Sequence, residues 1–288
     1  MRHFSATEQA ILQALALFQY LTATQLMKLG ITKTRKGVYP TLARLMAEHK
    51  PTIARINYTV SPVYGRPESV HYLAREGVKI LQEMGLDAGE IKHPRRTAVT
   101  FASDHSHRIS TINFFIALKL WVDRKGYTLR DFSFYFQQGG GSNRNNKGGV
   151  SLSDNRLDIE AHGVGYIVPD GVAIVERPNT TPVFILFEQH NGKDTKRFLE
   201  QVHGHTLAMA EGIPSIRFDV KHDGEYVANR VFCVFENEAC MQAAMHRLAK
   251  SADFQPFLPL FYFKSESALD TTGFEEGWIA ANARQAEI

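Results

Sequence analysis

The sequence predicts a two-domain α+β protein, a small helical front closed by a β-hairpin and a larger α/β back built on a mixed sheet. Three observations predict it. The 288 residues exceed one ordinary domain of ~100–200 residues. Hydrophobic periodicity is helical at first and then gives way to short strand-like runs between helices. Charge divides the same way: residues 1–100 carry 14 Lys and Arg against 7 Asp and Glu, a net of +7, and the remaining 188 carry 19 against 23, a net of −4.

The composition, 44% hydrophobic and 22% charged, is that of a globular chain and excludes wholesale disorder. No window holds the ~20 continuous apolar residues of a membrane span. Glu8 and Gln9 break the first apolar run too early for a secretory leader. Cys233 and Cys240 are the two cysteines, too few for a disulfide scaffold or a cysteine zinc site, so a reducing cytoplasm is expected.

The front domain is expected over residues 1–85. Ile11, Leu12, Leu15 and Phe18 recur at helical spacing over 6–21, with Ser5 and Glu8 as a capping box. A short second helix starts at Thr22 and ends at Gly30. A third runs from Lys36 to Glu48 on the stripe Val38, Leu42, Leu45 and Met46, with Pro40 placed in its first turn. Two β-forming runs, 53–60 and 69–74, flank a turn-like stretch and predict a hairpin. A last helix, REGVKILQEM, closes the unit.

Three helices followed by a two-stranded hairpin resemble a winged helix-turn-helix domain, and YLAREGVKIL is similar to the end of many of them. In that arrangement the third helix fits a major groove and the hairpin follows the backbone or minor groove. The candidate DNA contacts are Lys33, Thr34, Arg35, Lys36, Tyr39 and Arg44 along the third helix, with Arg66 beside Gly65 and Pro67 at the wing tip. About half are expected to touch DNA.

Residues 86–100 are polar and proline-broken, a linker. The back domain is expected over 101–288. An amphipathic helix (104–126) buries Ile109, Ile112, Phe115, Ile116 and Trp121, and a strand follows over 128–137. The glycine-rich stretch 139–149 is expected to be a mobile loop, with Arg144 and Lys147 as the residues that could turn it to DNA. It lacks the G-K-[ST] ending of a phosphate loop. Strands are expected over 166–176, 181–190, 213–221 and 230–237, and helices over 194–212 and 239–251. FLPLFYF is expected to add a last strand, with fraying after Gly277.

Pro169-Asp170 before one strand, and Glu188-Gln189-His190 ending the next, resemble the PD-(D/E)xK motif of the restriction-endonuclease-like mixed-sheet fold. On neighbouring strands Asp170 and Glu188 can converge on Mg²⁺ or Mn²⁺, with the Gln189 carbonyl as a further oxygen ligand. His190 stands where that motif has lysine. It can act as a general base, and Lys193 or Lys196 can supply a migrated positive charge. His105, at the start of the long helix, is a further candidate for the active site. His203 and His205, two apart on one helix, do not share a face. Tyr166 is the first tyrosine to test as a covalent nucleophile.

HYLAREG (71–77), Asp104-His105, Pro169-Asp170 and FEQHNGKDT (187–195) together resemble the replication-relaxation family, with its plasmid mobilisation proteins and MOBC-type relaxases. The resemblance spans about residues 5–235. It implies binding to double-stranded DNA at an origin of transfer or replication, with accessory mobilisation or coupling proteins as partners. In the MOBC branch it implies metal-dependent nicking of one strand. The alternative is a non-catalytic DNA-binding replication, mobilisation or transcription regulator that keeps a degenerate nuclease fold.

Overall fold

The computed structural model describes residues 3–47, 49–58, 65–94, 105–136, 155–159, 165–192 and 195–281. The chain divides into two units, one of residues 1–108 and 136–149 and one of residues 109–135 and 150–288. Residues 86–94, expected as linker, are tied to the first unit: Ile91 is buried and the Lys92 N–H donates to the Ala16 carbonyl.

Unit 1 runs α1 (Ala6–Phe18), β1 (Leu21–Thr22), α2 (Ala23–Lys28), α3 (Arg35–Met46), β2 (Ile53–Ile56), β3 (Val70–Leu73) and α4 (Arg75–Glu83). The Ser5/Glu8 capping box starts α1. The helix stops at Phe18 rather than 21, because Gln19 has φ +64. Leu21, released from the helix, and Thr22 pair with β3 and make the hairpin a three-stranded antiparallel sheet of order β1-β3-β2. Thr22 then caps α2, and a reciprocal bond from Gln25 completes a second capping box. Thr34 caps α3 one residue earlier than expected, so Pro40 lies in the second turn and cannot donate to the Lys36 carbonyl. Ile11, Leu15, Leu26, Val38, Leu42 and Leu45 form the core. Gly77 packs where a Cβ would lie 2.2 Å from the Thr52 carbonyl oxygen, which brings α4 against the backbone.

Unit 2 follows with α5 (His105–Lys125), whose first four residues belong to unit 1, then β4 (Thr128–Phe134), β5 (Leu157–Ile159), β6 (Gly165–Ile167), β7 (Gly171–Arg177) and β8 (Thr180–His190). Next come α6 (Thr195–Ala210), α7 (Ile213–Arg217), β9 (Lys221–His222), β10 (Glu225–Tyr226), β11 (Arg230–Phe235), α8 (Glu238–Ala249), β12 (Phe261–Ser265), α9 (Glu266–Thr272) and β13 (Ile279–Ala280). Six strands form one mixed sheet of order β13-β12-β11-β8-β7-β4. β8, β11 and β12 are parallel, and β7 runs antiparallel to both β8 and β4.

Alternation along β8 decides which residue meets which layer. Phe187 stacks on Phe114 of α5 at 3.9 Å between ring centroids. Phe184 and Leu186 join the opposite cluster, with Phe198 and Val202 of α6 and Met241 and Met245 of α8. Helix α5 is more deeply buried than an amphipathic stripe requires: Ser110 and Thr111 are inside with Ile112, Phe114, Phe115 and Trp121.

Three further expectations fail. The run 213–221 starts as helix α7, because Gly212 at φ +66 turns the chain and Pro214 suits a first helical turn. The run 166–176 is two strands, since Pro169 separates β6, which pairs with β5, from β7. The chain past Gly277 is not frayed over its described part: Trp278 is fully buried and β13 pairs with β12. The expected loop 139–149, with Arg144 and Lys147, lies outside the described residues, as do Asp104, Lys193 and Asp194. Among the described residues no helix is long and apolar enough to cross a membrane.

Candidate functional site

The parallel strands β8, β11 and β12 all end at one edge of the sheet, the edge where α/β sheets place their sites. β7 begins at that edge. Its register pairs Gly171 with Phe187, which brings Asp170, one residue back, alongside Glu188. Opposite residues of an antiparallel pair share a face. Asp170 and Glu188 thus lie on the α6 face, 8% and 3% exposed.

Each carboxylate is held. Asp170 Oδ2 accepts the main-chain N–H of Gln189 at 2.8 Å. The buried Asn155 amide donates to the Pro169 carbonyl at 3.2 Å, fixing the residue before Asp170. Gly171 has no room for a side chain, since a Cβ would lie 2.4 Å from the Phe115 ring. Glu188 Oε1 is 2.6 Å from His205 Nε2, and Gln201 Nε2 donates to Oε2 at 3.3 Å. Gln201 and His205 are four apart on α6 and so reach the same carboxylate.

His205 is 1% exposed, while His203 points outward. Burial holds the His205 ring well below the usual histidine range, against the pull of the Asp170 carboxylate. A neutral His205 ring with its proton on Nε2 donates it to Glu188 Oε1. Its Nδ1 is then an acceptor, buried and without a partner among the described residues. Cys233 of β11, paired with Glu188, lies under the same two charges. Burial first, then Glu188 and Asp170, push its thiol well up.

The other sequence candidates are distributed as follows. His190 shares the α6 face with Glu188, and its ring packs between Phe198 and Phe235 at centroid distances of 5.4 and 5.0 Å. Gln189 projects to the other face, where its amide donates to Glu266 at 2.7 Å and to Asn191 at 2.8 Å. Burial raises the Glu266 carboxyl, against hydrogen bonds from Ser110 and Gln189. Lys196 is a surface residue 3.9 Å from Glu200. The deeply buried lysine of the sheet is Lys264, whose ammonium donates to the carbonyls of Gly273 and Glu276. Tyr166 is 48% exposed on β6, with the Arg156 guanidinium 4.0 Å above its ring. His105 belongs to unit 1, where its ring meets the Glu68 carbonyl at 3.2 Å and the edge of Tyr58.

Two neighbouring carboxylates form an oxygen donor set suited to a hard divalent ion such as Mg²⁺ or Mn²⁺. Among the described residues no three His, Cys, Asp or Glu side chains form a ready metal group. A cation there would take its remaining ligands from main-chain or water oxygens, as Mg²⁺ commonly does.

In unit 1 a groove of about 590 Å³ separates α3 from the β2–β3 sheet. Arg35, Tyr39, Arg55 and Arg66 line it, with Glu68 4.0 Å from Arg35. Lys33 and Lys36 are exposed at the start of α3. Thr34 is occupied as the helix cap, and Arg44 faces α1, where it meets Glu8 at 2.8 Å. Sequence reasoning missed Arg55, which alternation in a short strand points into the groove. It also missed Gln201 and set His205 aside; their helical spacing was visible but their shared carboxylate was not.

Comparison with known proteins finds no matching family model, no matching curated protein and no matching solved structure.

Proposed function

We propose that the protein binds duplex DNA through unit 1 and nicks one strand with a divalent metal held in unit 2. The observation that carries this reading is the pairing of Asp170 with Glu188 on one face at the carboxyl edge of the sheet. Like charges brought together in a buried site call for a cation or a proton between them. The order α5-β4-β7-β8-α6-β11, with Asp170 entering the second of these core strands and Glu188 near the end of the third, supports a restriction-endonuclease-like core. The order α1-β1-α2-α3-β2-β3 supports a winged helix. Both agree with the resemblance to the replication-relaxation family and its MOBC relaxases, and with an origin of transfer or replication as target.

Asp170 and Glu188 would hold Mg²⁺ or Mn²⁺. When bound, the cation polarises the scissile phosphate and lowers the pKa of the attacking water. The chain's own residues supply position. His205 and Gln201 orient Glu188, and the Gln189 amide orients Asp170. His190 occupies the place of the usual lysine beside the carboxylates. Arg35, Arg55 and Arg66 supply phosphate contacts in the unit 1 groove.

The test is conversion of supercoiled plasmid carrying the cognate origin to open circles. Wild type with Mg²⁺ or Mn²⁺ should nick, and Asp170→Ala and Glu188→Ala should not. A second reading is DNA binding without cleavage, in replication, mobilisation or transcription control. It is favoured by the near-complete burial of both carboxylates and the aromatic packing of His190. Binding of origin DNA with no nicking in either metal would establish it over the first.

A further inference from the structure

Unit 2 has a second concave site at the opposite edge of the sheet, a cavity of about 430 Å³. It opens beside Thr181–Phe184, four to seven residues up β8 from Glu188, which is roughly 13–23 Å at ~3.3 Å per residue. It therefore lies apart from the paired carboxylates.

Local sequence builds its rim. Asp223 and Gly224 both take positive φ, +50 and +84, and close the two-residue hairpin between β9 and β10. Such a turn requires this conformation at both positions, which Asp-Gly supplies. The hairpin carries His222 and Tyr226 to the cavity. Tyr226 is 49% exposed, and Lys221 Nζ lies 4.8 Å from its ring centroid. Arg177 is fixed at the wall by two bonds to the Thr181 carbonyl, at 3.2 and 2.8 Å.

Arg230 is the decisive residue. It opens β11 opposite Ile185 of β8, and its guanidinium lies 5.7 Å from the Tyr262 ring. Its Nη1 is buried and has no hydrogen-bond partner among the described residues. A guanidinium at the wall of a cavity takes an anionic oxygen as its natural partner. The remaining walls are apolar, with Phe184, Val227 and Leu260. A bare inorganic anion would leave them unused, and a neutral apolar ligand would leave Arg230 unpaired. Glu225 at the rim repels a highly charged ligand and can accept from an amino group.

We propose that this cavity binds a nucleoside phosphate of low charge, as a free mononucleotide or as one nucleotide of a single strand. Arg230 and Arg177 take the phosphate, the base stacks on Tyr226, and Glu225 accepts from an exocyclic amino group. Its size lies within the ~300–1,000 Å³ usual for small-molecule sites.

The test is calorimetric titration of the full chain with AMP, TMP, inorganic phosphate and a thymidine hexamer. AMP should bind more tightly than phosphate. Tyr226→Ala should weaken AMP roughly 5- to 100-fold, the range of base–aromatic stacking, and Tyr226→Phe should restore it. Arg230→Gln should weaken AMP by roughly tenfold or more, as loss of a charge-assisted bond requires. Tyr226 is a surface residue, so its variants report binding without a folding defect. A hexamer tighter than TMP, and weakened by the same two variants, identifies the strand as the source. A hexamer no tighter than TMP identifies a free nucleotide. AMP binding no better than phosphate, or unchanged in both Tyr226→Ala and Arg230→Gln, would overturn the assignment.

Discussion

His71 makes unit 1 acid-sensitive by an amount that can be worked out. It lies on the central strand β3, 3% exposed and opposite Arg55. Burial pushes its pKa from 6.5 down to about 4; the Leu21 carbonyl and Glu68 oppose the drop and Arg55 adds to it. As pH falls, the unfolded chain takes a proton near 6.5 that the folded ring refuses until about 4. Stability is therefore complete above 6.5 and is lost as pH falls toward 4. A gap of about 2.5 pH units at ~1.36 kcal/mol per unit makes the loss about 3 kcal/mol at pH 4. The control is His71→Gln, which keeps a donor for the Leu21 carbonyl and does not titrate. Hydrogen exchange of the Val70–Leu73 amides, corrected for intrinsic rates, reads unit 1 alone. Both tryptophans lie in unit 2, so tryptophan fluorescence would not. Between pH 7.5 and 4 the wild type should lose about 3 kcal/mol more protection than the variant. Equal losses in the two proteins would refute a buried neutral His71.

Gly171→Ala places a Cβ 2.4 Å from Phe115 and should cost about 1–3 kcal/mol in thermal melts. Adding Phe115→Leu should recover part of it, and no cost in the single variant would contradict the packing of α5 on β7. Arg55→Ala and Arg66→Ala should each lower duplex affinity and reduce the salt slope by about one, measured by anisotropy across a salt series. Arg44→Ala should leave that slope alone, because its guanidinium is committed to Glu8 at 2.8 Å. His205→Ala removes the 2.6 Å partner of Glu188 and should weaken Mn²⁺ binding ~10–100-fold by paramagnetic titration. Unchanged Mn²⁺ affinity would remove His205 from the site.

Much of the fold was written locally. The Ser5/Glu8 and Thr22/Gln25 boxes start their helices where the residues stand, and β8 follows the apolar run VFILF. Where the sequence misled, a single backbone feature outweighed the pattern. Gly212 and Pro214 turned an apolar, β-like run into helix α7. Leu21 ended one helical run and Thr22 opened the next, yet they pair with His71 and Val70, about fifty residues on along the chain, and no local window contains that partner. The site divides the same way. Asp170 and Glu188 stood out as charges bounding apolar strands. His205 did not, because its role depends on which way α6 turns as it lies on the sheet.

The pairing of Asp170 with Glu188 depends on register, and the structure fixes that register from several sides. A slip of one residue along β8 would send Glu188 to the α5 face and bring Gln189 or Phe187 into its place. Asp170 opposes such a slip directly, since its carboxylate accepts the Gln189 N–H, a bond available in one register only. Asn155 holds the preceding carbonyl, and Phe115 fills the space over Gly171 so closely that any larger residue would push β7 away. At the far end of the same hairpin the ladder shifts between Val175 and Arg177, so the turn at Asn179 does not by itself set the pairing at Asp170. The register at the carboxyl edge is thus set by the site's own residues. Substitution of Asp170 would therefore remove a charge and also loosen the constraint that keeps Glu188 facing α6. For this reason Asp170→Asn, which keeps an oxygen for the Gln189 amide, separates loss of charge from loss of register better than alanine does.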